Sequence, residues 1–278
     1  MPDRAPGRPD EPSDKAAGRW LSAARAVLDR LEATQMPAIA RAAGLCADAI
    51  ASGGLVHLFG TGHSRIPLEE MFPRYGSYPG FHPMAELSMT HHTQIVGVNG
   101  QRQAMFIERI EGLAEVILSN FEFGEHDVMI VFSAGGLTAV PIEMAQGARR
   151  RGMPVVAVTS VVHSEAGEPS HSSGTRLLDN ADVVIDLGTP VGDALVALDG
   201  IDTPVGPGST LANVAVVNEL KVQTAQLLLE RGALPDVLTS GAVVGPERSQ
   251  RLFDGAYRDH AHRLSRALAG EPGTNRSP

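Results

Sequence analysis

The sequence predicts an α/β protein: a doubly wound parallel sheet flanked by helices and preceded by an N-terminal helical hairpin. Three observations carry that prediction. Four apolar runs, at 54–59, 127–132, 154–159 and 182–187, have the length and composition of strands buried on both faces. Stretches of helical periodicity lie among them at 64–74, 104–119, 138–152 and 210–231. Two of the runs end in glycine-rich, hydroxyl-bearing turns, Gly60-Thr61-Gly62-His63-Ser64 and Ser133-Ala134-Gly135-Gly136-Leu137-Thr138. Strands and helices alternating at these lengths build a sheet whose ligand crevice lies beyond the carboxyl ends of the strands.

In chain order, residues 1–17 are rich in Pro, Gly and alternating charge, leave nothing to bury, and read as a disordered tail; 269–278 reads the same way. The hairpin occupies 18–52. Its two arms, 20–33 and 36–52, carry apolar residues at three- and four-residue spacing (Leu21, Ala24, Val27, Leu28, Leu31; Ile39, Ala42, Ala43, Ala47, Ile50). Residues 53–232 form the sheet domain and 233–268 a C-terminal helical extension. Segments 161–176 and 188–209 read as long irregular loops on the ligand edge, and loops of that length are more often functional than decorative.

At 278 residues, 43% hydrophobic and 20% charged, the chain has the composition of a soluble globular protein with one substantial core. Its apolar stretches fall short of the ~20 residues that cross a bilayer, and the Pro-, Asp- and Arg-rich start carries no signal peptide, so a cytoplasmic protein is expected. Cys46 is the single cysteine, which excludes a disulfide framework, a multi-thiolate zinc site or an iron–sulfur cluster held by one chain. It reads as a small buried hydrophobe. A net charge of -9, with no basic stripe interleaved with aromatics, argues against nucleic-acid binding. Lysine occurs only at Lys15 and Lys221, so Schiff-base chemistry has one candidate, Lys221. No cofactor is expected. His91-His92 is a weak metal signal, because adjacent side chains on a helix or strand diverge.

The duplicated turns point to an anion. Glycines let the backbone approach a ligand closely, and the free N–H groups at the start of a following helix favour negative charge. Ser64, Ser133 and Thr138 add hydroxyl donors, with Gly60, Thr61, Gly62, His63, Gly135 and Gly136 forming the rest of the two cradles. Any strand–turn–helix junction favours Gly and a Ser/Thr cap. Two in register point instead to a phosphate pocket built twice.

With the late segment Asn218-Glu219-Leu220-Lys221, these turns resemble the SIS (sugar isomerase) domain of phosphosugar isomerases and lyases, over roughly residues 35 to 232. Leu68-Glu69-Glu70-Met71-Phe72-Pro73-Arg74-Tyr75-Gly76 is similar to the segment after the first turn of N-acetylmuramic acid 6-phosphate etherases, and the resemblance makes Glu70 catalytic. Ile107-Glu108-Arg109-Ile110-Glu111-Gly112 resembles the segment holding a second acidic residue of those enzymes. His63 in the first turn, the Ser133-Ala134-Gly135-Gly136 sequence and the histidines at His82, His91 and His92 depart from the etherase pattern and imply a distinct subfamily. The resemblance also implies a homodimer or dimer of dimers, with the apolar face of the 20–52 hairpin available for pairing.

The chemistry follows from such a substrate. In an open-chain phosphosugar the C1 aldehyde acidifies the C2 proton, and a positioned carboxylate can remove it. A C2 hydroxyl then leads to aldose–ketose isomerisation. A C2 acetamido group instead favours β-elimination of water or an ether at C3, as in a dehydratase acting on N-acetylglucosamine 6-phosphate, assisted by a general acid. Glu70 is the expected base; the competing reading is an ion pair with Arg74 at i,i+4. Glu108, Glu111 and Glu115 share one amphipathic segment and serve either as acid or as an outer charged face. Glu219 sits in an otherwise apolar helix, where function or a buried hydrogen bond must compensate it. Among the loop histidines, His171 or His163 could protonate the leaving group. The competing class is a sensor that binds a phosphosugar without turnover, and the lack of a DNA-reading segment favours the enzyme.

Overall fold

A computed structural model of the chain describes residues 16–90 and 100–269, apart from the side chains of Gly100, Gln101 and Ala269. The four apolar runs form β1 (Val56–Gly60), β3 (Val128–Phe132), β4 (Val155–Thr159) and β5 (Val183–Asp186). A further strand, β2 (Phe81–Met84), completes a five-stranded sheet of order β2-β1-β3-β4-β5, parallel throughout. Sequence pattern misses β2 because it is four residues long and holds a histidine and a proline. Pro83 lacks an N–H, which an edge strand tolerates.

The strands are buried on both faces because each face carries its own layer. Val56, Leu58, Val128, Ile130, Phe132, Val156, Val158 and Ile185 face α1 (Arg19–Ala51) and α7 (Ser209–Glu230). Phe59, Met129, Val131, Val155 and Ala157 face α4 (Leu113–Leu118) and α5 (Ala139–Arg150) on the other side. The even–odd split is the two-residue period of a strand.

The expected hairpin is absent: α1 is one continuous helix of 33 residues running through Pro37. The apolar stripe explains why. Leu31 and Ala38 are two helical turns apart, so the buried positions of both arms fall on one face and a turn between them would split it. The Thr34 hydroxyl donates to Arg30 O (2.8 Å) within this helix just before the proline. That apolar face lies in the chain's own core, so the expected pairing surface on 20–52 is not available.

Other boundaries shift for local reasons. The 64–74 stretch is a short 3₁₀ turn (Gly62–Arg65) leading into α2 (Ile66–Met71). The 104–119 stretch divides into α3 (Gly100–Ile107) and α4 at Gly112, whose φ of 87° ends helical continuity. The first supposed loop opens with α6 (Val161–Ala166), and 188–209 carries an antiparallel pair, β6 (Ala194–Val196) and β7 (Val205–Pro207). The C-terminal extension is α8 (Gly241–Val244) followed by α9 (Pro246–Ala269). The expected terminal tails lie mostly, and His91 and His92 wholly, outside the described residues.

Candidate functional site

Strand order places the two turns side by side. Gly60, the last residue of β1, pairs with Phe132, the last of β3, so both turns leave the sheet at the same level. The chain turns from β1 to β2 on one flank while β3 lies on the other; this reversal is where an open α/β sheet leaves a crevice. In the first turn Ser64 N donates to Thr61 O (2.9 Å). A side chain at Gly60 would collide with the carbonyl of Ser64, so the tight reversal requires glycine. In the second turn Gly136 N donates to Ser133 Oγ (3.1 Å), and Thr138 starts α5 without spending its hydroxyl on a cap.

Glu70, at the end of α2, gathers polar groups from α7. Its carboxylate pairs with Arg74 Nη1 (2.7 Å) and accepts from Asn218 Nδ2 (3.3 Å), and Lys221 Nζ lies 3.7 Å from Oε1. The ion pair with Arg74 and the inward setting therefore coexist, since the Glu70 side chain is only 20% exposed. Asn218 and Lys221, three residues apart, reach α2 from one face of α7. That spacing was the available signal, but nothing in the sequence shows which helix α7 packs against. Burial lowers the pKa of Lys221, partly offset by Glu70. Glu219 points elsewhere around the same helix and accepts from Gln223 Nε2 (2.8 Å), so the structure does not bring it to Glu70 by a direct bond.

Glu108 belongs to the first turn. Thr61 Oγ1 donates to its Oε2 (2.7 Å), and its main-chain oxygen accepts from Val140 N of α5 (3.0 Å), so the segment after α3 bridges both cradles. Burial raises the Glu108 pKa, against the opposing pull of the Thr61 hydrogen bond. The site thus contains one ion-paired carboxylate and one half-buried carboxylate with a raised pKa.

His171 forms a clasp farther along this segment. Ser173 N donates to its Nδ1 (3.1 Å), Ser173 Oγ lies 2.7 Å from the same nitrogen, and Nε2 lies 3.3 Å from Glu143 Oε1. Glu111 holds Ser172 through N (2.6 Å) and Oγ (2.7 Å), which lowers its pKa. Glu111, Glu143 and His171 lie close enough together to hold a cation. Glu143 also accepts twice from Gly112 N (2.8 and 2.9 Å). Glu115 is spent on Arg150 and Arg151.

A cavity of about 470 Å³ opens at the opposite edge of the sheet, beside 52–55 and 122–127 under Arg263 and Arg266. Arg263 Nη1 is committed to Ile50 O (3.0 Å) and Gly54 O (2.9 Å), and Arg266 to Gly53 O, so these side chains fasten α9 to the end of α1. The turns, not this cavity, collect the chemistry.

Residues 19–160, containing the first turn, Glu70, Glu108 and the second turn, match the SIS domain family. The chain belongs to the SIS domain family. Its relatives include a UPF0309 protein of Streptomyces avermitilis, 34% identical over 83% of this chain and 90% of its own length. Another, from Halalkalibacterium halodurans, is 33% identical over 80% and 89% respectively. Among solved structures, a phosphoheptose isomerase of Francisella tularensis overlays on 74% of this SIS domain chain and 95% of its own, at 16% identity and a TM-score of 0.49. The NanR protein of Vibrio vulnificus complexed with ManNAc-6P covers 84% and 67%, at 15% identity and a TM-score of 0.47. No helix among the described residues of this SIS domain protein is long and apolar enough to cross a membrane.

Proposed function

We propose that the protein is a phosphosugar lyase acting on an N-acetylated amino sugar 6-phosphate. The observation that carries this reading is the unequal setting of two carboxylates at one sheet edge: Glu70 ion-paired with Arg74 and Lys221, Glu108 half-buried with a raised pKa. Paired carboxylates in contrasting environments divide base and acid roles between them. The phosphate is held by the N–H groups and the Ser64, Ser133 and Thr138 hydroxyls of the two turns. Glu70 takes the C2 proton, the electron pair delocalises into the C1 aldehyde, and the C2–C3 double bond forms as the C3–O bond breaks. Glu108 gives its proton to the departing oxygen, releasing water or an alcohol.

The test is incubation with hexose and N-acetylhexosamine 6-phosphates in deuterated water, read by mass spectrometry. Loss of water or of a C3 side chain from an N-acetylhexosamine 6-phosphate supports the lyase. Deuterium incorporation without loss assigns an isomerase, and binding without either assigns a sensor.

The acting unit is a homodimer or dimer of dimers. With the apolar face of α1 buried in the core, the exposed apolar surface of α7, Val222 and Leu229 on one helical face, supports pairing there. Sedimentation at micromolar concentration checks it; a fully active monomer overturns it.

A further inference from the structure

Three polar atoms beside the second turn are buried without a protein partner: His163 Nδ1, Ser164 Oγ and Thr189 Oγ1. They cluster where β4 passes into α6 and β5 ends. The links are short: His163 N donates to Ser160 Oγ (3.4 Å), and Ser160 Oγ donates to Thr189 O (2.6 Å). The imidazole of His163 lies against the bare Cα of Gly135, where a Cβ would stand 3.3 Å from Nε2. A Cβ on Gly136 would stand 3.6 Å from Ser164 Oγ. Both glycines of the turn therefore lie over this group of side chains.

The unpartnered Nδ1 fixes the ring's chemistry. Buried N–H groups almost never lack an acceptor, whereas an unused lone pair is better tolerated. In the neutral ring Nδ1 therefore carries the lone pair, and Nε2, against the turn, carries the proton. Arg176, which bonds to this region, holds Ser164 O (2.9 Å) and Gly167 O (3.1 Å). His171 has both ring nitrogens engaged, while His163 brings a directed donor to the cradle of an anion.

We propose that His163 is a binding residue of the phosphosugar pocket, donating from Nε2 to a phosphate oxygen held by the second turn. The proposal rests on the phosphate reading of that turn. Its test is ¹⁵N-histidine NMR of the full chain titrated with inorganic phosphate and then N-acetylglucosamine 6-phosphate, beside calorimetry of His163→Phe and Ser133→Ala. The expected result is a saturable movement of the His163 ring resonances, with affinity lowered roughly 10- to 100-fold in His163→Phe, the scale of a lost hydrogen bond to a charged group. If Ser133→Ala weakens binding while His163 resonances stay still and His163→Phe binds as wild type does, the cluster holds only ordered water and the proposal is wrong. If the wild-type chain binds neither phosphate nor sugar phosphate, the phosphate reading falls and takes this proposal with it. The wild-type titration decides the matter even where His163→Phe fails to fold.

Discussion

Lys221 Nζ lies 3.0 Å from the main-chain oxygen of Glu70 and 3.7 Å from its carboxylate. One buried ammonium thus fixes both the end of α2 and the side chain proposed as the base. Holding this cation costs stability: burial lowers its pKa, so below that lowered value folding carries a charge it disfavours. The penalty disappears only as pH rises past the unfolded lysine value, near 10.4.

Lys221→Met should therefore separate stability from activity. Removing one member of a buried pair is costly where it strands the other, but Glu70 keeps its ion pair with Arg74 and its hydrogen bond from Asn218, so the melting temperature is expected to change little. The C2 proton exchange rate should fall by about 10-fold, with Lys221→Arg intermediate. Parallel losses of stability and exchange would make Lys221 a packing residue only.

The duplicated turns make a second prediction. Ser64→Ala and Ser133→Ala should each weaken sugar phosphate binding by about 1–3 kcal/mol, the worth of a hydrogen bond to a charged group. Ser133 carries an added structural duty through Gly136 N, so its variant is also expected to melt lower. Unchanged calorimetric affinity in both folded variants removes the phosphate assignment.

A third prediction concerns a buried chain of polar groups between the first strands. His57 Nε2 faces Asp127 Oδ2 (3.0 Å), and His57 Nδ1 faces His82 Nδ1 (2.9 Å). Burial, with the His57 ring beside it, pushes the His82 pKa down to about 3. A histidine depressed in the folded state contributes stability above its unfolded value, near 6.5, and loses it as pH falls through the folded value. Asp127 adds in the same sense at lower pH: its hydrogen bonds to His57, Leu55 N and Gly124 N outweigh burial and lower its pKa. Unfolding free energy should decline by up to about 1.4 kcal/mol per pH unit from pH 6.5 toward 4. His82→Asn should flatten that slope in urea denaturation at successive pH values. An unaltered slope would place the acid sensitivity elsewhere.

These relationships show what the sequence makes visible. The strands β1, β3, β4 and β5 are readable because burial on both faces writes continuous apolar runs, and the turns because glycine marks where backbone folds back on itself. The continuity of α1 through Pro37 depends on the phase of its stripe against a core that must already exist, and β2 depends on its neighbour rather than its own composition. Glu70 was legible from its place after the first turn. Lys221 and Asn218 became its partners only through the packing of α7 on α2, a long-range relationship without a local sign. Glu219 stood out as a charge in an apolar helix, yet its bond to Gln223 satisfies it within one turn.

The last prediction separates the two proposed acid–base roles. Glu70→Gln keeps the shape of the side chain but cannot accept the C2 proton; exchange and turnover should both fall by about 10²-fold or more, with little change in binding. Glu108→Gln removes the proton donor, so C2 exchange should persist while elimination falls by a similar factor. The pH dependence follows the same division. Elimination by the wild-type chain should be lost as pH rises through the raised Glu108 pKa, because the acid must be protonated, whereas C2 exchange should not show that loss. The readouts are deuterium at C2 by NMR and product by mass spectrometry on the same samples. If Glu70→Gln exchanges at the wild-type rate while Glu108→Gln or Glu219→Gln does not, the base is one of those carboxylates, and the cations around Glu70 serve structure alone.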